Sequence, residues 1–320
     1  MPITIVIQQK ISWEKVLKFD VALELGFLKD RMLLNANYYR NSTKDQLVGL
    51  PLPSQTGFTS VNANLPALIR NTGVELSLNT RNINSETFIW NTDFNITFQK
   101  NELVSFDDLK ASTYANTYEV GASILSQKGY LASVDPQTGM YTIQDLNNDG
   151  QITYAEDRKI LGDRLPKFYG GLQNNFTYKN WNLGFLFQFV KQEDYNYLNT
   201  VYEALGNRSN FEESALNYWK QPGDQVSFPK PSTTTGNAFF NSLSSSRHWE
   251  DASYIKLRNV NLAYNLPAIW MNQVGMQSAR VYFQGQNLLT ITSYKGLDPE
   301  SKSTFAPPLR ILSLGIQTNF

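Results

Sequence analysis

The stretch from residue 87 to residue 100 shows the clearest alternation of apolar and polar residues in the chain. Alternate side chains of an extended strand point to opposite faces, so this stretch has one apolar face and one polar face. The apolar face carries Phe88, Trp90, Thr92, Phe94, Ile96 and Phe98. The polar face carries Asn91, Asp93, Asn95, Thr97 and Gln99. The pattern fits a soluble sandwich with a buried core, and it fits equally a membrane barrel whose apolar face meets lipid.

The same alternation recurs along the chain and predicts nine strands. They are residues 13–27, 32–39, 72–80, 87–100, 167–178, 181–190, 252–266, 276–289 and 310–320. The connections between them are in turn short and long, which places the short turns at one end of a meander and the long loops at the other. Outer-membrane barrels have this layout, whereas sandwiches mix connection lengths. We therefore predict an all-β fold, a portion of an antiparallel up-and-down transmembrane β-barrel with long extracellular loops.

Polar residues interrupt the apolar faces of two predicted strands. Asn174 stands among the apolar positions of residues 167–178, and a polar side chain is unfavourable on a face that meets lipid. Lys256 and Arg258 share a side with Val260 and Leu262. We expect the upper part of that strand either to leave the apolar zone or to shift its register by a bulge.

Length and composition narrow the class of protein. Single soluble cores usually stop growing near ~250 to 300 residues, so the 320 residues of this chain favour one large barrel or two domains. Lys plus Arg and Asp plus Glu are both 28, and we predict no nucleic-acid partner because no net charge would attract one. The absence of cysteine excludes disulfides and thiol chemistry.

The sequence shows neither a membrane helix nor a secretory signal. No apolar run approaches the ~18 to 20 residues of a membrane helix, so any membrane passage must use closed strands. The first residues, MPITIVIQQK, lack the basic, apolar and small-residue regions of a signal peptide. We expect a fragment that has lost its N-terminus, with residues 1–11 an unassigned stub and residues 12–320 the C-terminal part of the barrel.

One loop has the spacing of a cation site. The segment DLNNDGQITYAE, residues 145–156, matches a calcium-loop template that places oxygen ligands at fixed positions around a glycine. The predicted ligands are Asp145, Asn147, Asp149, the carbonyl of Gln151 and Glu156, with Asp157 as an alternative to Glu156. The flanking helices of a calcium sensor are missing. We predict a structural calcium ion that stiffens the loop, and an Asx-rich turn without metal is the open alternative.

Catalytic chemistry has little support in the sequence. The single histidine, His248, has no second ligand or nucleophile beside it, and we expect a polar surface residue. The neighbouring carboxylates Asp107 and Asp108 lie in a predicted loop, where a solvated charge is the default explanation. A glycan hydrolase would need a cleft with paired carboxylates, and none is visible in the strands. We predict that the protein is not an enzyme and has no catalytic residues.

Several long runs resemble one protein family. They are ISWEKVLKFDVALELGFLKDRMLLNANYYRNSTKDQLVGLPLPSQTGF, RNTGVELSL, DLNNDGQITYAEDRKILGDRLPKFYGGLQNNFTYKNW, GQNLLTITSYKGLDPE and LRILSLGIQTNF. These runs resemble the C-terminal half of the SusC/RagA family of TonB-linked outer-membrane transporters. The resemblance covers essentially everything after residue 11.

The resemblance implies a fold, a location and partners. In this family a barrel of about 22 strands encloses an N-terminal plug, and a SusD-like surface lipoprotein delivers oligosaccharides or peptides for uptake driven through TonB. The resemblance implies that the nine strands are the last of the barrel, in contact with outer-membrane lipid of a Gram-negative, Bacteroidetes-like cell. The TonB complex would act through the missing N-terminal part. Phe320 resembles the aromatic end of the signal for barrel assembly.

A soluble, calcium-stabilised all-β binding module, such as an adhesin or a lectin, is the competing interpretation. A module of that kind stays monodisperse in buffer, whereas a barrel portion aggregates without detergent or lipid. The sequence does not identify the substrate, because selectivity in such transporters comes from loops, plug and partner together.

Overall fold

Antiparallel strands make up most of the protein. The computed structural model describes residues 11–52, 55, 57–200, 204–273, 275–302 and 306–320, so the predicted stub lies outside the described residues except for Ile11. Two short helices are present in these ranges, α1 (Asn237–Leu243) and α2 (Ala268–Gln273). No described helix has the length and apolar character needed to cross a bilayer.

The strands are numbered in chain order. They are β1 (Lys15–Phe27), β2 (Met32–Lys44), β3 (Leu47–Pro51), β4 (Ser60–Asn64), β5 (Ala67–Asn84), β6 (Phe88–Phe106), β7 (Ser126–Tyr130), β8 (Ala132–Val134), β9 (Tyr141–Ile143), β10 (Arg158–Asp163), β11 (Phe168–Tyr178), β12 (Trp181–Lys191), β13 (Glu193–Tyr195), β14 (Trp249–Asp251), β15 (Tyr254–Asn265), β16 (Ser278–Thr292) and β17 (Ile311–Asn319).

The long strands form one nine-stranded antiparallel sheet in the order β1-β2-β5-β6-β11-β12-β15-β16-β17. Each of them corresponds to one predicted strand and pairs with its neighbours in chain order, which confirms the predicted meander. β5 and β6 extend beyond the predicted bounds. Their backbones remain paired as far as Ala67 and Phe106, after the apolar alternation has ended.

The long connections carry structure of their own. They contain four small two-stranded sheets, formed by β3 with β4, β7 with β10, β8 with β9, and β13 with β14. The connection between the predicted strands 32–39 and 72–80 is therefore mostly strand, because it contains β3, β4 and the ends of β2 and β5. A buried cluster of Leu65, Ala67, Leu103 and Phe106 lies where two of these connections meet, packed by Val48 and Tyr114 among others. The loops thus have a hydrophobic core of their own at one end of the sheet.

One face of the sheet carries a continuous apolar layer. A single cross-strand row consists of Leu25, Leu34, Leu78, Phe94, Leu172, Phe187, Leu257 and Leu289. In the described part of the chain no second sheet packs on this layer, and Leu23 and Ile316 are 54% and 69% exposed. Soluble sandwiches bury such a face against a second sheet, whereas barrels in membranes turn it outward.

Aromatic rings gather on this layer near the short turns. Trp181 packs on Tyr264 with ring centroids 4.7 Å apart, and Trp90 stacks on Phe176 at 5.5 Å. Trp181 remains 48% exposed. Aromatic rings at the end of the apolar layer are typical of the aromatic girdle of an outer-membrane barrel.

Asn174 lies on the apolar layer as predicted, and its amide oxygen is fully engaged there. It accepts hydrogen bonds from the indole N–H of Trp90 at 2.8 Å and from the hydroxyl of Thr92 at 2.6 Å. Asn174 is 8% exposed. The polar group is therefore supplied with partners by side chains of the adjacent strand, which removes most of the cost of placing it on an apolar face.

A bulge in β15 resolves the position of the two basic residues. The register shifts between Leu257 and Asn259, so that Leu257 lies on the apolar layer beside Phe187. Val260 lies on the same layer, beside Phe185. Arg258 is the extra residue, and Lys256 turns to the polar face opposite Gln188. Of the two alternatives stated above, the register shift is the one observed.

Candidate functional sites on the polar face and in the loops

The polar face of the sheet is lined mainly by amides and hydroxyls. A row across three strands pairs Asn35 with Ser77 and Ser77 with Asn95. Two tyrosines lie flat on this face over glycines of the adjacent strand, because a Cβ on Gly73 or Gly315 would stand 2.5 Å from the ring of Tyr39 or Tyr282. The glycines thus make room for aromatic rings on a polar wall, an arrangement suited to contacts with a hydrated solute.

The predicted calcium loop folds around its own oxygen atoms. The carboxylate of Asp145 accepts the backbone N–H groups of Asn148 and Gly150 at 2.7 and 2.8 Å. Gly150 has a φ of +80°, the left-handed conformation that glycine adopts without strain. The amide nitrogen of Asn147 donates to Asp149 at 3.1 Å and to Glu156 at 2.9 Å. The fold therefore brings Asn147, Asp149 and Glu156 together, while the oxygens of Asp145 face the backbone.

Asp157 has a different role from Glu156. Its side chain is fully buried and accepts the N–H groups of Leu146 at 2.8 Å and Thr153 at 2.6 Å. These backbone hydrogen bonds lower the pKa of Asp157. Asp157 therefore holds the backbone of the loop together, and Glu156 is the carboxylate that shares the amide of Asn147 with Asp149. No group of three or more His, Cys, Asp and Glu side chains in the described ranges is arranged as a metal site.

His248 is buried, so its prediction as a surface residue is wrong. It is 5% exposed and lines a small cavity with Tyr141, Phe228 and Leu243. Burial, with the charge of Arg247 as a second cause, lowers the pKa of His248 to about 4. The histidine is consequently neutral at physiological pH, and no described acidic or nucleophilic group forms a hydrogen bond with its Nδ1.

A buried ionic cluster fixes the last long loop to the polar face. Lys256 forms an ion pair with Asp298, and both side chains are 4% exposed. Lys256 also contacts Glu300 at 2.9 Å, and Arg258 forms an ion pair with the same carboxylate. Burial raises the pKa of Asp298, but its hydrogen bonds to Lys256 and Ser301 outweigh this and lower it. The bulge in β15 thus presents two cations to which the loop is attached.

A second cluster joins three long connections at Asp194. Its carboxylate contacts Arg164 at 3.0 Å and Lys302 at 2.9 Å. Nearby, the hydroxyl of Tyr294 donates to the carbonyl of Tyr195 at 3.2 Å. Lys302 and Asp194 are 108 positions apart in the sequence, so no local pattern identified their contact. The loops form a single packed body at one end of the sheet.

Comparison with known proteins reveals relatives along nearly the whole chain. TonB-dependent receptor P3 of Formosa agariphila is 32% identical over 319 aligned residues, covering 91% of this chain and 31% of the relative. TonB-dependent receptor SusC of Bacteroides thetaiotaomicron is 26% identical over 325 residues, covering 92% of this chain and 30% of the relative. The chain spans about a third of the length of these relatives. No protein-family model matches it.

Solved structures show the same fold. A chain of the RagAB peptide importer in its closed-closed state superimposes with a TM-score of 0.81 at 25% identity, covering 97% of this chain and 36% of that chain. Another structure of the RagAB peptide transporter gives a TM-score of 0.80 at 24% identity, covering 96% and 36%. The predicted resemblance and the predicted all-β barrel portion are confirmed.

Proposed function

From the chain's resemblance to the TonB-dependent receptors of the SusC/RagA type, we propose that it forms part of an outer-membrane transporter that imports nutrients. The observation that carries the proposal is the single meander sheet with its uncovered apolar layer and its folded loops at one end. Such a sheet is stable where its apolar layer meets hydrocarbon and its polar face lines an aqueous lumen. A receptor function, rather than an enzymatic one, follows from this role.

The proposed partners follow from the relatives. A SusD-like surface lipoprotein would bind at the loop end, and the TonB complex would act through a part of the receptor outside this chain. The cargo would be an oligosaccharide or a peptide. Support comes from the names of the relatives, which include SusC and a peptide importer, and from the packed loop body that offers a formed surface.

Purification and uptake test the proposal together. We expect the full-length receptor to be extracted from outer membranes only with detergent and to co-purify with a lipoprotein encoded beside it. Cells that lack the receptor should lose uptake of the lipoprotein's cargo, and so should cells in which TonB is inactive. A protein that is monodisperse in buffer without detergent would instead support the soluble binding module.

We also propose that the loop of residues 145–157 binds a structural calcium ion. Asn147, Asp149 and Glu156 already converge, and an amide nitrogen that bridges two carboxylates occupies the kind of position a cation would take. Rotation of the Asn147 amide would present its oxygen to the metal, and the carbonyl of Gln151 and the carboxylate of Asp145 would add ligands.

Calcium should raise the thermal stability of the full-length receptor in detergent, and the substitution Asp149→Asn should abolish this shift. Asp135→Asn is the matched control, because Asp135 is also a loop aspartate whose oxygens bind the N–H of Gln137 and the hydroxyl of Thr138. The calcium proposal fails if millimolar calcium leaves the wild-type transition unchanged.

A further inference from the structure

Arg247 is a half-buried cation at the wall of a cavity in the loop body. Its guanidinium lies 4.5 Å from the ring centroid of Tyr141 and donates to the carbonyl of Ser227. None of the ion pairs among the described residues includes Arg247. Partly desolvated charges in proteins are ordinarily paired, because water no longer screens them fully. The positive charge of Arg247 therefore lacks a described counterion.

The groups around Arg247 leave its charge uncompensated. Burial raises the pKa of Tyr141, so the phenol is neutral and the contact is a cation–π stack rather than an ion pair. His248, next in the chain, is neutral at physiological pH for the reason given above. Asp135, in the turn that follows β8, has its carboxylate engaged with that turn, through Gln137 and Thr138. One fixed positive charge thus faces the cavity.

The cavity is an open pocket on the surface of the loop body, with the volume and mixed lining of a small-ligand site. Its volume is 410 Å³, and it opens between β8 and the segment 225–227. Its lining, besides Arg247, consists of Ser133, Gln225 and Ser227 together with Val134, Pro136 and Val226. Hydroxyl and amide groups stand beside small apolar surfaces here. Ligand sites in proteins combine these features with a few polar groups that fix orientation.

We propose that this cavity binds the carboxylate of an acidic saccharide, with Arg247 as its counterion. An arginine fork matches a carboxylate geometrically, and its stack on Tyr141 holds the guanidinium plane in place. A uronic acid has hydroxyl edges for the serines and the glutamine, and an apolar ring face for the valines and the proline. The inference rests on the proposed function only in taking a saccharide as the cargo.

Calorimetric titration of the full-length receptor in detergent tests the site without transport. A galacturonic acid trisaccharide and its methyl ester are the two probes. We expect wild-type protein to bind the acid at least ~10-fold more tightly than the ester, which is about 1.4 kcal/mol, since only the acid can form a charge-assisted pair with Arg247. Arg247→Gln should remove this difference. Equal affinity of the wild type for acid and ester would overturn the proposal, and this comparison requires no variant to fold.

Arg158→Gln is the matched control variant. Arg158 also lies over a tyrosine, 3.9 Å from the ring centroid of Tyr154, and also donates to a backbone carbonyl, that of Lys128 at 2.6 Å. It does not line the cavity. We expect Arg158→Gln to bind the acid like the wild type, and an equal loss of affinity in both variants would contradict a role for Arg247.

Arg247-dependent binding of an acidic peptide, without binding of the trisaccharide, would overturn the saccharide assignment. Loss of uptake with saccharide binding intact would count against the transport function alone.

Discussion

Asn174 is the residue at which a polar side chain is tolerated on the apolar layer. Asn174→Ala would leave the indole N–H of Trp90 and the hydroxyl of Thr92 without their acceptor. We expect a loss of about 1 to 3 kcal/mol in the free energy of unfolding, the usual cost of unpaired buried polar groups. Thermal unfolding in detergent measures this change in stability.

Asn175→Ala is the control on the opposite face, where the expected change in the free energy of unfolding stays within about 0.5 kcal/mol. Equal effects at both positions would show that the Trp90–Thr92 contacts contribute nothing.

His248 should make the stability of the loop body depend on pH. Its pKa is 6.5 when exposed and about 4 in the fold, so the unfolded state binds more protons between these values. Stability is therefore complete above pH 6.5 and falls as the pH drops toward 4, by about 3 kcal/mol in all. We expect His248→Gln to lose this part of the pH dependence in thermal unfolding between pH 7 and 4. Identical slopes for both proteins would refute it.

The sequence predicts the position of Asn174 correctly and the exposure of His248 wrongly. Asn174 was recognisable because its neighbours at every second position are apolar, so its face was known before its partners were. His248 was misplaced because it lies outside any alternating segment, and its burial depends on Tyr141, Phe228 and other residues far away in the chain. Periodicity predicts which side of an element a residue occupies. It carries no information about contacts between loops.

At the scale of elements, the bulge in β15 and the last long loop act together. Asp298→Asn would leave the buried Lys256 with Glu300 as its remaining partner. Because Glu300 stays as a counterion, we expect about 1 to 3 kcal/mol of destabilisation, the cost of a lost buried hydrogen bond, and faster amide hydrogen exchange across residues 293–302. Asp251→Asn is the matched control. Asp251 also binds a lysine and a serine N–H, but the pair with Lys191 is 37% and 45% exposed on its two sides. We expect at most about 1 kcal/mol there. Unchanged exchange in Asp298→Asn would mean that the ion pair does not hold the loop.

The nine long strands were predictable because each has one side on the apolar layer and the other on the polar face, and such a strand needs alternation over its whole length. The same reason explains where prediction stopped. β3 and β4 are only five residues long, and β3 has apolar residues at adjacent positions. At the ends of β5 and β6, Ala67, Leu103 and Phe106 join the buried cluster of the loop body, so the alternation set by the sheet is lost there. The candidate ligands of the proposed calcium loop were readable as a motif because they lie within twelve positions. The Asp194 cluster joins three separate connections and has no such signature.

At the scale of the whole molecule, the sheet has two edges, β1 and β17, that no described strand covers. Unpaired edge groups in hydrocarbon are costly, and barrels avoid the cost by closing. Every residue of β1 is exposed, and its apolar side chains continue the layer seen on the other strands. Both features fit the proposal that further strands of a longer receptor pair with these edges, and they fit a monomeric soluble module poorly.

Spin labels on neighbouring residues of β5 determine which face of the sheet meets lipid. The chain contains no cysteine, so single cysteines at Leu76 and Ser77 are unique labelling sites within it. Any cysteine in the rest of the full-length receptor is first replaced by serine. Leu76 pairs with Ala36 and Ile96 on the apolar layer, and Ser77 pairs with Asn35 and Asn95 on the polar face. In the full-length receptor in liposomes, a label at Leu76→Cys should be accessible to oxygen and shielded from a water-soluble nickel reagent. A label at Ser77→Cys should show the reverse, because the lumen is aqueous. A soluble sandwich would shield the Leu76→Cys label from both reagents, since its apolar face lies under a second layer of protein.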